Sequence, residues 1–394
     1  MTLLKIHDTR RSPDRVILVG FGLRSQPMAL LQESLDELAR LVDSAGGLVV
    51  GRVTQRGERI NSAHVVGAGK LAGIETLTAQ TKANLVVFDD ELSPSQVRNL
   101  EERLSCKVID RSILILAIFA QHASTKESKT QVELAQYEYL YPRLVGQWTH
   151  LSKQWGGIGS KGPGETQLEV DRRIVGQRIQ RLKRDLEKID RERAVQRRGR
   201  EGLFKVVMVG YTNAGKSTLF NALTRARVWA ADRLFCTLDP TARVMSYEGG
   251  RHILLTDTIG FIRKLPATLF AAFRATLGEV TDADLLLHVL DYASPAHRHE
   301  AAEVESTLAQ INANQIPRLV VLNKLDLLNG RPVEPYHPKD AVEVVAVSAQ
   351  TGLGLERLVA AIAERADASE RPIGVRRGRT ARARIHWEAQ PSSD

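Results

Sequence analysis

The chain has 394 residues, 43% of them hydrophobic, which supplies material for more than one core and exceeds a single ordinary domain. Its formal charge of +9 points toward a polyanionic partner, and its two cysteines, Cys106 and Cys236, are too far apart to suggest a zinc site or a disulfide framework, which fits a reducing cytosol. No apolar run approaches the roughly 18 residues of a membrane span and no signal-peptide pattern opens the chain, so a soluble, cytoplasmic protein is expected.

Residues 1–125 read as an N-terminal α/β binding domain. Val16-Ile17-Leu18-Val19-Gly20 and Leu48-Val49-Val50-Gly51 predict strands, with a helix over 29–45 between them. A helix over 71–80, the strand Asn84-Leu85-Val86-Val87-Phe88 and a helix opened by Ser93-Pro94 follow. Lys107-Val108-Ile109 and a helix over 113–123 complete the unit. Gly67-Ala68-Gly69-Lys70 lacks the arch of a phosphate loop and reads as a strand-to-helix turn. Asp89, Asp90 and Glu91 read as a solvated strand end, and no catalytic constellation is visible in this region.

Residues 126–200 change character. Leu134, Tyr137, Tyr141, Leu144, Trp148, Leu151 and Trp155 recur at spacings of three and four, as do Leu168, Val175, Ile179, Leu182, Leu186 and Ile189, with Arg172 interrupting the seam. Two heptad-spaced helices with a short break between them predict an antiparallel hairpin, a coiled coil bent at Pro142. The break, residues 156–164, holds five glycines. It reads either as a loose tip or as a backbone-rich loop that moulds to a partner, with Lys161 as its charge. Arg172, Arg173, Arg178, Arg181, Lys183 and Arg184, then Arg191, Arg193, Arg197, Arg198 and Arg200, give the second helix a basic face. Such a run is either a solvated face or a contact for a nucleic-acid backbone.

Residues 201–366 carry the chemistry. Phe204-Lys205-Val206-Val207-Met208-Val209 is a buried-strand pattern, and Gly210-Tyr211-Thr212-Asn213-Ala214-Gly215-Lys216-Ser217 after it fits G-x-x-x-x-G-K-[ST]. That loop places backbone N–H groups, a helix N-terminus and a lysine around nucleotide phosphates. Asp257-Thr258-Ile259-Gly260 follows an apolar strand; its aspartate is expected to hold Mg²⁺ through water, and Gly260 N–H to meet the γ-phosphate. In Phe235-Cys236-Thr237-Leu238-Asp239, Thr237 is the expected threonine on Mg²⁺, with Ser217 as the other hydroxyl ligand. Asn323-Lys324-Leu325-Asp326 selects guanine, because the Asp326 carboxylate accepts from N1–H and the 2-amino group that adenine lacks there. Ser348-Ala349-Gln350 ends a strand over 342–347 and supplies a backbone N–H to the guanine oxygen. GTP and GDP are thus the expected ligands, with Lys216, Thr237 and Gly260 as candidate catalytic groups.

Ras-type GTPases place a water-orienting glutamine directly after the glycine of D-x-x-G. Phe261 stands there, so unassisted hydrolysis is expected to be slow. Asn213 resembles the asparagine of potassium-dependent GTPases, in which K⁺ replaces an arginine finger; the other reading is a loop-stabilising amide. Beyond residue 366 the chain is polar, and 367–394 read as a basic, disordered tail around Arg376, Arg377, Arg379, Arg382 and Arg384.

Four stretches together resemble the HflX family of ribosome-associated GTPases: the tip running into Gly164-Glu165-Thr166-Gln167-Leu168-Glu169 and Asp171-Arg172-Arg173, the phosphate loop, residues 235–241, and Asp257 to Phe261. The resemblance implies a P-loop GTPase domain with a mostly parallel sheet, behind an N-terminal α/β domain and the hairpin. It also implies contact with the large ribosomal subunit and its rRNA, splitting or rescue of stalled ribosomes under stress, and ribosome-stimulated hydrolysis. A monomer, partly ribosome-associated in the cytoplasm, is expected. Trp155 stands where many members have glycine, Lys161 where arginine is usual, and the chain lacks the small C-terminal domain many members carry. The competing readings are a GTPase of ribosome assembly or tRNA modification, and an RNA-binding protein in which GTP is only structural.

Overall fold

The computed structural model describes residues 13–143, 167–198, 202–224, 234–235, 238–247, 251–264, 274–328, 336, 338 and 341–369. Two compact units divide in the sequence at Ile189/Asp190. Among the described residues no helix is long and apolar enough to cross a membrane.

The first unit is built on a four-stranded, all-parallel sheet of order β2-β1-β3-β4, formed by β1 (Arg15–Leu23), β2 (Leu48–Gly57), β3 (Leu85–Phe88) and β4 (Lys107–Asp110). Strands β1 and β3 are apolar almost throughout, as strands covered on both faces must be. The helices α1 (Met28–Ser44), α2 (Ala68–Thr81), α3 (Pro94–Leu104) and α4 (Arg111–His122) supply that cover. One core packs Ile17, Val19, Val86 and Phe88 of the sheet against Leu71, Ile74, Leu100 and Leu104 of the helices. Ser93-Pro94 opens α3 through a full capping box with Gln96, as the sequence anticipates. Gly67 is the residue before α2, and its N–H is satisfied by Gln55 Oε1 at 2.9 Å. Gly69 and Lys70 lie in the first turn of that helix.

The acidic strand end differs from the expectation. Asp89 is fully buried; its carboxylate accepts from Arg111 Nη1 and from the Ser34 hydroxyl, each at 2.8 Å. Glu37 of α1 also pairs with Arg111. Glu91 is exposed and accepts from Ser112 Oγ at 3.2 Å. A carboxylate inside the sheet edge persists because a guanidinium is buried with it, 22 residues downstream, a pairing that spacing alone does not reveal.

Helix α5 (Lys126–Leu140) packs on α4 and ends in a 3-10 turn, Tyr141–Arg143. Pro142 therefore lies in that turn and not inside a bent helix. Without an N–H it cannot continue the i→i−4 ladder, and the chain tightens instead. The seam residues Leu144, Trp148, Leu151 and Trp155 and the glycine tip lie outside the described residues. Helix α6 (Gln167–Arg198) carries the second seam: Leu182 is buried, and Val175, Ile179, Leu186 and Ile189 are half-buried. Salt bridges Arg178–Glu133 and Lys183–Glu138 (2.8 Å), with Arg172 over the Tyr141 ring at 5.6 Å, join α6 to α5 and its turn. Part of the basic face is thus used within the chain, while Arg173, Arg181, Arg184 and Arg191 are exposed.

The second unit holds a six-stranded sheet of order β10-β9-β8-β5-β7-β6. Its strands are β5 (Phe204–Gly210), β6 (Thr241–Tyr247), β7 (Arg251–Asp257), β8 (Leu285–Asp291), β9 (Arg318–Asn323) and β10 (Ala341–Ala346). Only the edge strand β6 runs antiparallel, against β7. Helices α7 (Lys216–Thr224), α8 (Arg274–Thr281), α9 (His297–Gln310) and α10 (Leu355–Asp367) flank it. Leu219 and Phe220 of α7 and Leu358 and Ile362 of α10 meet Met208, Leu255, Leu287 and Val321 in the principal core. This winding brings the carboxyl ends of β5, β7, β8, β9 and β10 to one edge, where the loops after doubly wound strands bind ligands.

Candidate nucleotide site

The phosphate-loop motif occupies the arch between β5 and α7. Asn213 and Gly215 both take left-handed backbone conformations, with φ of 63° and 89°. Such alternation turns successive N–H groups toward one concavity, the geometry of an anion nest. A Cβ at Gly215 would stand 2.3 Å from Asn323 Nδ2, so glycine is required there on two counts. Lys216 is buried, and its ammonium donates to the carbonyl oxygens of Gly210 and Tyr211 at 3.1 and 2.7 Å.

The segment after β7 is stapled to this arch. Phe261 N–H donates to Gly210 O at 3.0 Å, and Thr212 N–H to Phe261 O at 2.8 Å. Tyr211 OH accepts from Arg263 N–H at 2.9 Å. Asp257 is buried at the end of β7, and its Oδ2 accepts from Ser217 Oγ at 2.8 Å. Thr258 Oγ1 donates to Met208 O at 2.6 Å. Gly260 faces the phosphate loop so closely that an added Cβ would lie 2.7 Å from Thr212 Cα and 3.0 Å from Lys216 Nζ. Ile259 and Phe261 are buried, so the ring after Gly260 is a core side chain. Phe235 and Leu238 are buried and Asp239 is half-buried, whereas Cys236 and Thr237 lie outside the described residues.

A hydroxyl from the first turn of α7 and a carboxylate from the end of β7, paired beside a phosphate loop, form an oxygen donor set suited to Mg²⁺, which keeps waters and takes one or two protein ligands. Ser217 and Asp257 therefore fit that ion.

The segments after β9 and β10 converge on the same edge. Asn323, buried at the end of β9, donates from Nδ2 to Ala214 O at 2.9 Å and accepts from Ala349 N–H at 3.0 Å. One amide thus ties the phosphate loop to the loop after β10. Ser348 Oγ donates to Asp326 Oδ1, and Thr351 N–H donates to Ser348 Oγ at 3.1 Å, which holds the Asp326 carboxylate in place. Leu325 N–H reaches Val347 O at 3.3 Å, and Gln350 is exposed. Lys324 adopts φ 65° and its Nζ pairs with Asp291 Oδ2 at 2.8 Å. Sequence reasoning passed over Asp291; its signal was a carboxylate closing the apolar strand Leu285–Asp291.

His288 is a second residue that the motifs did not single out. It lies in the middle of β8, opposite Val209 of β5 and Val320 of β9, and is buried. Its Nε2 has no hydrogen-bond partner among the described residues. Burial, with Arg318 and Lys216 nearby, pushes its pKa down to about 3, so the ring is neutral across the physiological range.

Comparison with known proteins places these features in a family. Family models described as "GTP-binding GTPase N-terminal", "GTP-binding GTPase Middle Region" and "50S ribosome-binding GTPase" match residues 32–120, 122–200 and 205–324. The chain is 46% identical over 359 residues to GTPase HflX of Caldanaerobacter subterraneus, covering 91% of this chain and 82% of that protein. With GTPase HflX of Escherichia coli K12 the identity is 47% over 341 residues, covering 84% and 79%. A crystal structure of SsGBP in complex with GDP aligns over 90% of this chain and 98% of its own, at 26% identity and a TM-score of 0.51. The phosphate-loop motif and a match along nearly the whole described sequence lead to one assignment: the chain belongs to the HflX family, and is a GTP-binding and GTP-hydrolysing factor related to ribosome-binding GTPases.

Proposed function

We propose that residues 210–217, 257–260, 323–326 and 348–350, with residues 235–239, form one GTP site whose loading lets the chain engage the large ribosomal subunit and separate ribosomal subunits. The observation that carries this reading is the Asn323 side chain, which joins Ala214 of the phosphate loop to Ala349 of the guanine loop, so that base and phosphates are read by one rigid frame. In this reading the backbone of 210–215 and Lys216 hold the phosphates, and Asp326, fixed by Ser348, selects guanine. Ser217, Asp257 and Thr237 hold Mg²⁺; when bound, the ion neutralises charge on the β- and γ-phosphate oxygens. Asn213, left-handed at the mouth of the arch, is the residue that would share K⁺ with the phosphates. The GDP in the SsGBP structure supports a guanine nucleotide.

The domain scheme in this reading is a binding domain over 1–125, a hairpin over 126–200 whose tip and basic face meet rRNA, the GTPase domain over 201–366, and a basic tail beyond. Association with ribosomes in the cytoplasm follows from it. The buried Phe261 makes intrinsic turnover slow, and ribosome contact accelerates it.

Sedimentation of intact ribosomes with the protein and GTP, GDP or a non-hydrolysable GTP analogue tests the proposal. Separate subunits with the triphosphate forms alone support it; the same profile with GDP overturns it. Turnover in KCl against NaCl tests Asn213, and equal rates remove the potassium role.

A further inference from the structure

Phe261 cannot orient an attacking water, so some other group must do so or the reaction must proceed without one. Of the polar side chains around Gly260, most are committed within the protein. Ser217 Oγ donates to Asp257, Thr258 Oγ1 donates to Met208 O, and Tyr211 OH accepts from Arg263 N–H. Thr212 differs. Its Oγ1 is buried and has no hydrogen-bond partner among the described residues, although its own N–H is satisfied by Phe261 O. Its Cα and Cγ2 stand 2.7 and 2.8 Å from a Cβ built on Gly260, and Lys216 Nζ stands 3.0 Å from the same point. An unpaired buried hydroxyl is uncommon in native proteins and is retained where a ligand or water completes it.

We propose that Thr212 is the water-orienting residue of this GTPase, standing in for the side chain that Phe261 cannot supply. The inference rests on the nucleotide site proposed above, in which Lys216 and Gly260 N–H border the γ-phosphate. Thr212 Oγ1 accepts a hydrogen bond from the attacking water and so directs a lone pair of the water oxygen at Pγ. The water oxygen forms its bond to Pγ as the bond from Pγ to the β–γ bridging oxygen breaks. GDP departs with that electron pair, and the water protons end on the released phosphate and solvent; the threonine itself neither gains nor loses a proton. Because the hydroxyl hangs from the phosphate loop itself, the water site depends on how closely Gly260 approaches that loop. A partner that presses the two together would raise the rate without inserting a side chain of its own.

The test compares the full-length parent with Thr212→Val, which keeps the shape and removes the hydroxyl, and with Thr212→Ser and Lys216→Ala. Three quantities are read: single-turnover GTP hydrolysis, affinity for a fluorescent GDP analogue, and formation of the GDP–aluminium fluoride complex that mimics the transferring phosphoryl group. The expected result for Thr212→Val is a loss of about a hundredfold in hydrolysis, the scale of one catalytic hydrogen bond, and loss of the aluminium fluoride complex, with GDP affinity unchanged. Thr212→Ser should retain most of the rate. Parental hydrolysis by Thr212→Val overturns the inference, as does a loss of GDP affinity that matches the loss of rate, because the residue would then be only structural. If Lys216→Ala hydrolyses GTP as the parent does, the nucleotide site itself is wrongly placed, a failure separable from that of Thr212.

Discussion

In the proposed site, Asp326 is the carboxylate that would fix base specificity. Ser348 holds its Oδ1, so the group cannot swing away to suit a different base. Asp326→Asn exchanges an acceptor for a donor and should invert the preference from guanine to xanthine nucleotides, whose ring carries oxygen where guanine carries the 2-amino group. A loss of about a hundredfold in GTP affinity is expected, from two charge-assisted hydrogen bonds, and competition of XTP and GTP for the site measures it. His288 makes a prediction about acid. Its native pKa of about 3 lies below the ordinary 6.5, so the unfolded chain binds the extra proton first as pH falls. Its stabilising effect is complete above pH 6.5 and drains away toward pH 3, at a slope of about 1.4 kcal/mol per pH unit. Urea unfolding of the parent at pH 7 and pH 5.5 should show that loss, and His288→Leu should flatten it. The motif residues were legible because each motif has a fixed local spacing in the sequence. Asp291, His288 and the buried Asp89 were not, because each is defined by a neighbour distant in sequence: Lys324, Arg318 and Arg111.

Elements were readable where periodicity and caps agreed. The Ser93-Pro94 start of α3 and the strands β3, β5 and β10 fall within a residue or so of where composition placed them. The first hairpin helix was harder: its heptad spacing continues through Pro142, while the backbone turns at Tyr141–Arg143. What fixes that end is a buried polar contact and not the seam. Asp110 caps α4 by accepting from Ile113 N–H at 3.0 Å, accepts from Leu92 N–H at 3.1 Å, and receives the Tyr139 hydroxyl of α5. Arg143 lies over the Tyr139 ring at 3.3 Å and donates to Leu92 O at 2.7 Å. Burial, the Asp110 charge and that hydrogen bond push the Tyr139 pKa well above the usual phenol range, so it stays a donor. Tyr139→Phe should destabilise the first unit by about 1–3 kcal/mol, the cost of leaving a buried acceptor short of a partner. Denaturant titration followed by circular dichroism would register this as a lower midpoint with an unchanged slope.

At the scale of the molecule, a net charge of +9 and the exposed arginines of α6 offer a surface that a polyanion would be drawn to. Replacing Arg173, Arg181 and Arg184 by alanine should leave basal GTP turnover unaltered and weaken ribosome binding. Each lost phosphate contact should reduce the slope of log affinity against log salt by about 0.7–0.9. Pelleting with ribosomes across a salt series measures that slope; an unchanged value would mean that this face is merely solvated. The parallel first sheet and the mostly parallel second one were foreseeable from alternating strand and helix patterns. Their internal wiring was not, since buried ion pairs leave no periodic trace.

The many duties of Asp110 bear on how the polypeptide can be made in pieces. A fragment cut at residue 125 removes both Tyr139 and Arg143, and leaves this carboxylate with only backbone amides to answer it. During synthesis the same shortage persists until Arg143 has left the exit tunnel, so the N-terminal sheet gains that part of its stability only then. Recombinant fragments of this region should accordingly be ended beyond Arg143.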